Sequence, residues 1–282
     1  MNTMTRKVKE NTFKLFSLIT MSFSIVILGV LFFHIMETGY GWIDVQFLES
    51  YPSRFPEKAG IKAGIWGTFW LISLTALFSI PVGVSSALFL EEYKIKGRLG
   101  KIIEVNVSNL AGVPSIVYGL LGLTVFVRFL GFDRSLLSGS LTLGLLILPV
   151  IIVSSRHAIR AVPQSIRHAA YALGASQYQV VFGQVFPMAL PGIMTGIILS
   201  LSRAIGETAP LIIVGALTYV SFTPESPMDE FTVLPLQIYN WASRPQESFH
   251  SLAAGGIIVL LGVMLSMNLI AVLIRHKFEK RM

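Results

Sequence analysis

The chain has 282 residues, 53% of them hydrophobic and 13% charged, with mean hydropathy +0.70 and no cysteine. A soluble domain carries about a quarter of its residues as Asp, Glu, Lys and Arg, so this composition excludes an ordinary soluble fold and points to lipid. The formal charge of +7 does not mark a nucleic-acid binder, because the basic residues come in short bursts between apolar blocks instead of on one solvated face.

A helix needs about 20 mainly apolar residues to cross the hydrocarbon layer. Segments 15–36, 63–90, 105–127, 135–155 and 251–274 meet this without a strong charge inside. A sixth, 192–220, is as apolar but carries Arg203 and Glu207 in its interior. Six spans put both termini on one side. On that side fall Arg6, Lys7, Lys9, Lys14, Lys94, Lys96, Arg98, Lys101, Arg156, Arg160, Arg167, Arg275, Lys277, Lys280 and Arg281, whereas the other side has only Arg54, Lys58, Lys62, Arg128, Arg134 and Arg244. Lys and Arg accumulate in cytoplasmic loops, so both termini are expected in the cytoplasm. The expected organisation is a cytoplasmic N-terminus at 1–14, one membrane domain at 15–274 and a cytoplasmic C-terminus at 275–282. The basic N-terminus and apolar first block resemble a signal peptide, but the block is too long and lacks a small-x-small end, so an uncleaved span is expected.

Marks of chemistry are missing. Lys96-Gly97-Arg98-Leu99-Gly100-Lys101 lacks the first Gly and the closing Ser or Thr of a P-loop. His34, His157, His168, His250 and His276 do not pair at metal-ligand spacing. No nucleophile elbow occurs. The residues therefore argue against an intramembrane enzyme, and no cofactor, metal or enzymatic activity of its own is expected.

The longest inward segment, 156–190, is more than a linker. Ser165 is expected as N-cap of a short helix whose Ile166, Ala169, Ala170 and Leu173 share one face, with Gly174 as its C′ residue. A second amphipathic stretch, 177–186, is expected to close at Pro187. His168-Ala169-Ala170, then Gly174, then nine residues to Gln184-Val185-Phe186-Pro187, resembles the cytoplasmic loop of bacterial ABC importer permeases. That pattern reads Glu-Ala-Ala, three residues, Gly, nine residues, Ile-x-Leu-Pro; here His168 stands for Glu and Gln184 for Ile. The resemblance implies a coupling loop, formed around Ser165, His168, Ala169, Ala170, Gly174 and Pro187, that docks on a separate ATPase subunit.

In the sixth block, the fifth span in order, Gly192, Gly196, Ser200, Ala204 and Thr208 recur every four residues, a small-residue stripe that lets another helix approach. Arg203 and Glu207 lie on the adjacent ridge at i, i+4 spacing, and Pro210 is expected to kink the helix because it cannot donate to Gly206. Charges at that depth cost at least a few kcal/mol each, so they mark a pathway or a structural pair. An Arg at such a site suits an oxyanion, since its planar fork donates two parallel hydrogen bonds.

The run Ser202-Arg203-Ala204-Ile205-Gly206-Glu207-Thr208-Ala209-Pro210-Leu211 resembles the fifth span of the PstA-type permeases of bacterial phosphate importers. Asn109-Leu110-Ala111-Gly112-Val113-Pro114-Ser115-Ile116-Val117-Tyr118-Gly119 is similar to that family's other strong signature. The resemblance implies an all-α polytopic protein with six transmembrane helices and the type I ABC importer permease fold. It implies one PstA-type and one PstC-type permease subunit paired with two copies of an ATPase subunit in the bacterial inner membrane, receiving phosphate from an extracytoplasmic phosphate-binding protein. Arg203, Glu207, Ser115 and Thr208 are then the substrate-pathway candidates, and segments 37–62 and 221–250 are expected to meet the binding protein. Two alternatives stay open from the residues: a permease for another oxyanion such as molybdate or sulfate, and a self-sufficient anion channel or secondary transporter.

Overall fold

The structure is a computed structural model that describes residues 3–93 and 97–279. Lys94, Lys96, Lys280 and Arg281, which contribute to the orientation signal, lie outside the described residues. All regular structure among the described residues is helical. Five helical stretches are long and apolar enough to cross a membrane, and a bent pair makes a sixth when counted as one span. The chain is a multi-pass membrane protein.

Helix α1 (Thr3–Gly39) is exposed from Glu10 to His34 and joins the rest at its C-terminal end. There Gly39 is pressed onto α12 (Glu247–Glu279): a Cβ at 39 would lie 2.5 Å from the carbonyl carbon of Ala254. A short α2 (Val45–Glu49) follows, capped by Asp44, whose side chain accepts from Phe47 N at 2.7 Å. Next comes α3 (Lys62–Glu92), which packs along α6 (Leu136–Arg160) so closely that a Cβ on Gly83 would stand 2.6 Å from Ile151 Cγ2. Leu71, Leu136, Leu143, Ile147 and Ile151 fill this seam and are buried.

The expected third span at 105–127 is instead a helix pair bent by 102°. Helix α4 (Arg98–Leu110) stops at Leu110, and α5 (Ser115–Gly122) starts after Pro114 and runs on as a π-helical segment Leu123–Phe129. The break falls at Pro114, whose ψ of 137° lies outside the helical range and which has no N–H to continue the ladder. The Leu110 carbonyl accepts from Val113 N at 3.1 Å and from the Tyr118 hydroxyl at 2.8 Å, which holds the elbow closed.

After α6 come α7 (Gln164–Ala172) and α8 (Gln177–Val180), and then a π-helical segment Val181–Val185 that passes directly into α9 (Phe186–Gly206). Helical structure is thus unbroken over Gln177–Gly206, and Pro187 does not close the second stretch. Proline in the first turn of α9 is harmless when the preceding carbonyls are met by the π-helical pattern. Helix α10 (Ala209–Val214), α11 (Leu234–Ala242) and α12 complete the order. Between α10 and α11 the chain folds back over the bundle: Leu217 N donates to Phe231 O at 2.9 Å and Leu234 N to Thr68 Oγ1 at 2.9 Å.

The aromatic residues of the two segments expected at an interface divide. Phe47, Phe231, Trp241 and Phe249 are buried, with Phe47 and Trp241 ring centroids 5.9 Å apart. Phe47, Trp241 and Phe249 belong to a second, smaller core at this end of the bundle, whereas Phe231 joins the main one. Tyr40, Phe55, Phe222 and Tyr239 remain exposed.

Candidate functional site

Helix α9 meets α6 through its small-residue stripe. A Cβ on Gly192 would lie 2.8 Å from Ala158 Cβ, and one on Gly196 would collide with the Ser154 side chain. Ser200 and Ala204, each 1% exposed, continue the contact. With that face against α6, Arg203 is turned outward, and its side chain is 47% exposed.

The helix ends at Gly206, well inside the expected span 192–220. Glu207 is the C-cap, in an extended conformation at φ −78° and ψ 124°, and not the next turn of the same helix. The ion pair forms all the same: Arg203 Nε donates to Glu207 Oε1 at 3.3 Å, with the carboxylate side chain 18% exposed. Thr208 is the N-cap of α10, its carbonyl accepting from Leu211 N and Ile212 N at 3.1 Å. Pro210 therefore sits in the first turn of a new helix, where a missing N–H costs little, and the break lies before it.

The two sequence signatures come together here. Gly119 of α5 lies against Pro210 of α10. Ser115 is the first residue of α5, half-buried and one turn before Gly119. Two helix breaks, 111–114 and 207–208, thus share one region of the molecule, together with Arg203, Glu207, Ser115 and Thr208. Broken helices free backbone groups at depth and are tolerated where they line a cavity or are covered by protein. Leu199, Ile212, Ile116, Val117, Leu120 and Leu121, all exposed, belong to the same helices.

The short helices differ from the sequence expectation in their packing. Helix α7 begins after Pro163, and Ser165 is an exposed residue of its first turn, not its N-cap. Leu173 is 89% exposed and His168 and Ala169 are exposed, while Ala170 is partly buried against the core. The buried residue of this helix is Arg167. Gly174 is the C′ residue with φ +82°: its N–H donates to Tyr171 O at 2.9 Å and Ala175 N to Ala170 O at 3.1 Å, the paired bonds of a Schellman-type turn. Ser176 caps α8 in a capping box with Gln179, a helix start that the Ser-x-x-Gln spacing signals and that the amphipathic pattern alone does not reveal.

Three of the arginines that set orientation in the sequence, Arg156, Arg160 and Arg167, are ion-paired. Arg156 Nη2 and Arg160 Nη2 reach Glu104 Oε1 at 2.9 and 3.3 Å, and Arg160 Nε reaches Glu91 Oε1 at 2.9 Å. Arg167 Nη2 reaches Glu92 Oε1 at 2.7 Å. On the opposite end of the bundle, Asp229 Oδ2 accepts from Glu225 N and Ser226 N at 2.8 and 2.9 Å, and these two bonds, that from Ser226 foremost, hold its carboxyl below the usual carboxylate range. No group of three metal-ligating side chains occurs among the described residues.

Residues 79–282 match the family described as "Binding-protein-dependent transport system inner membrane component". The "Phosphate transport system permease protein PstA 1" of Mycobacterium tuberculosis strain H37Rv is 33% identical over 248 residues, 86% of this chain and 78% of that one. The "Probable ABC transporter permease protein YqgI" of Bacillus subtilis is 32% identical over 257 residues, 87% of each chain. PstA of Pasteurella multocida is 29% identical over 268 residues, 94% of each. Among solved structures, a bacterial alginate ABC transporter in complex with a pentasaccharide-bound periplasmic protein superposes with TM-score 0.67 at 15% identity, covering 94% of both chains. The inward-facing MetNI methionine ABC transporter does so with TM-score 0.62 at 16% identity, over 76% of this chain and 94% of that one. These two likenesses establish the fold.

Proposed function

As the chain belongs to the family of binding-protein-dependent transport system inner membrane components, we propose that it is the PstA-type permease subunit of an ATP-driven importer of inorganic phosphate. The observation that carries this reading is Arg203. An arginine with nearly half its side chain open, on an apolar helix face beside two helix breaks, is costly against lipid and sensible against a second permease subunit or a water-filled path. A PstC-type sister subunit closes over this face. Arg203 then offers phosphate its free donors while Glu207 offsets its charge between transport events, and the Ser115 hydroxyl and Thr208 line the same path.

ATP is hydrolysed by two copies of a separate ATPase subunit, and this chain supplies the pathway. The exposed side of α7, with His168, Ala169 and Leu173, faces that partner. Arginine-rich segments put this end, and both termini, in the cytoplasm. The opposite end, which carries Asp229, then receives the phosphate-binding protein.

The reading is tested in vesicles of the reconstituted importer. Uptake of labelled phosphate should require ATP and the ATPase subunit, and equal concentrations of sulfate or molybdate should leave it unchanged. Uptake without any ATPase would sink the importer; suppression by sulfate would sink the substrate.

A further inference from the structure

We propose that Arg167 and Glu92 form the joint that carries movement of the short helices into the spans, with Gln177 as its second tie; this rests on the proposed importer function. Glu92 is the last residue of α3, and Arg167 lies in the middle of α7, beside His168. Both side chains are about nine-tenths buried. The guanidinium uses all three of its nitrogens. Nε and Nη2 donate to the Glu92 carboxylate at 3.5 and 2.7 Å, Nη1 to Val162 O at 2.6 Å and Nη2 to Ile159 O at 3.0 Å. One residue of α7 thereby holds the end of α3 and the end of α6 together. Gln177, which opens α8, donates from Nε2 to the Glu92 carbonyl at 2.8 Å. Both short helices are tied to residue 92.

A fork of this kind is rigid where an apolar contact would slide. Separating the pair would leave two buried charges unpartnered, so α7 moves with α3 and α6 or not at all. The opposite side of α7 is open, with Leu173 89% exposed. The helix is pinned on one side and free on the other, as a lever between a docked partner and its own spans must be. From α6 the movement reaches α9 through the Gly192 and Gly196 contacts, and so reaches Arg203. Arg167 is a positioning residue: it touches no substrate.

The chain has no cysteine, which makes a covalent substitute for the ion pair available. Arg167→Cys, Glu92→Cys and the double variant are assembled with their partners in vesicles, and labelled phosphate taken up is measured against ATP hydrolysed. The ratio should fall about fivefold or more in each, the low end of what coupling between sites carries. Bridging the double variant with a short bifunctional thiol reagent should restore it, and the same reagent should do nothing for the single variants. An unchanged ratio, or bridging without recovery, overturns the joint. Should Arg167→Cys fail to assemble, Gln177→Leu decides, because it removes one exposed hydrogen bond and leaves the ion pair. Its ratio should fall about twofold, and no change overturns the proposal. Wild-type uptake that needs ATP, together with normal ratios in the variants, defeats the joint alone; wild-type uptake without the ATPase defeats the importer reading itself.

Discussion

Gly119 and Pro210 meet with no room for a side chain between them: a Cβ on Gly119 would lie 2.8 Å from Pro210 Cα and 3.1 Å from its carbonyl oxygen. The seam that joins the two signature segments therefore exists because residue 119 is glycine. Gly119→Val should destabilise the protein by about 1–3 kcal/mol and reduce uptake by more than the lost folded fraction, since it displaces the break that carries Glu207. Thermal unfolding and uptake on the same preparation check this. Normal uptake from a destabilised variant would separate the seam from transport.

Arg203→Gln removes the charge but keeps hydrogen-bonding capacity. A charge-assisted hydrogen bond to an anion is worth about 1.5–3 kcal/mol, so uptake should fall at least about tenfold. Arg203→Lys keeps the charge without the fork and should fall in between. Both variants should copurify with the ATPase as the wild type does. Loss of assembly would assign Arg203 to a structural ion pair with Glu207 instead.

Gly174 adopts φ +82°, and a Cβ there would meet nothing within 4 Å. Any effect of Gly174→Ala is therefore backbone strain alone, about 1 kcal/mol. Unfolding of the α7–α8 region, followed by amide exchange, should become easier by that amount, and Gly174→Asn should be milder. Equal protection in all three would contradict the left-handed turn at this position.

Asp229 gives the turn at 225–229 a pH dependence. Its folded pKa is lowered by the amides of Ser226 and Glu225, so its contribution is present above the ordinary carboxylate value and is lost as pH falls through the lowered folded value. Below about pH 4, exchange of the Glu225 and Ser226 amides should accelerate beyond the intrinsic pH trend. Asp229→Ala, which removes the acceptor, should show fast exchange at neutral pH and little change on acidification. Undiminished protection in that variant would mean the loop is held by something else.

Lipid imposes strong local rules, and the features those rules govern are legible in the sequence. A run of about 20 apolar residues must be a helix in lipid, because no water is there to satisfy its backbone, so the spans declare themselves. The four-residue stripe of small side chains marks the face that meets α6, and Gly174 marks the end of α7, for equally local reasons. Arg203 and Glu207 stand out because charge is rare in such a run.

Other features depend on partners distant in the chain. Pro114 and the short link at 207–208 break helices that hydropathy alone reads as continuous, since an apolar run does not record its own direction. Pro187 has the look of a stop and is not one, because a π-helical turn absorbs it. Arg167 reads as an orientation signal, and the tertiary structure makes it the buried centre of α7 by bringing Glu92, 75 residues away in sequence, to within 2.7 Å. That this protein spans a membrane, and where charge enters it, follows from the order of its residues alone. Tertiary structure decided which charges meet, because pairing is set by the packing of helices, and hydropathy carries no record of which helices touch.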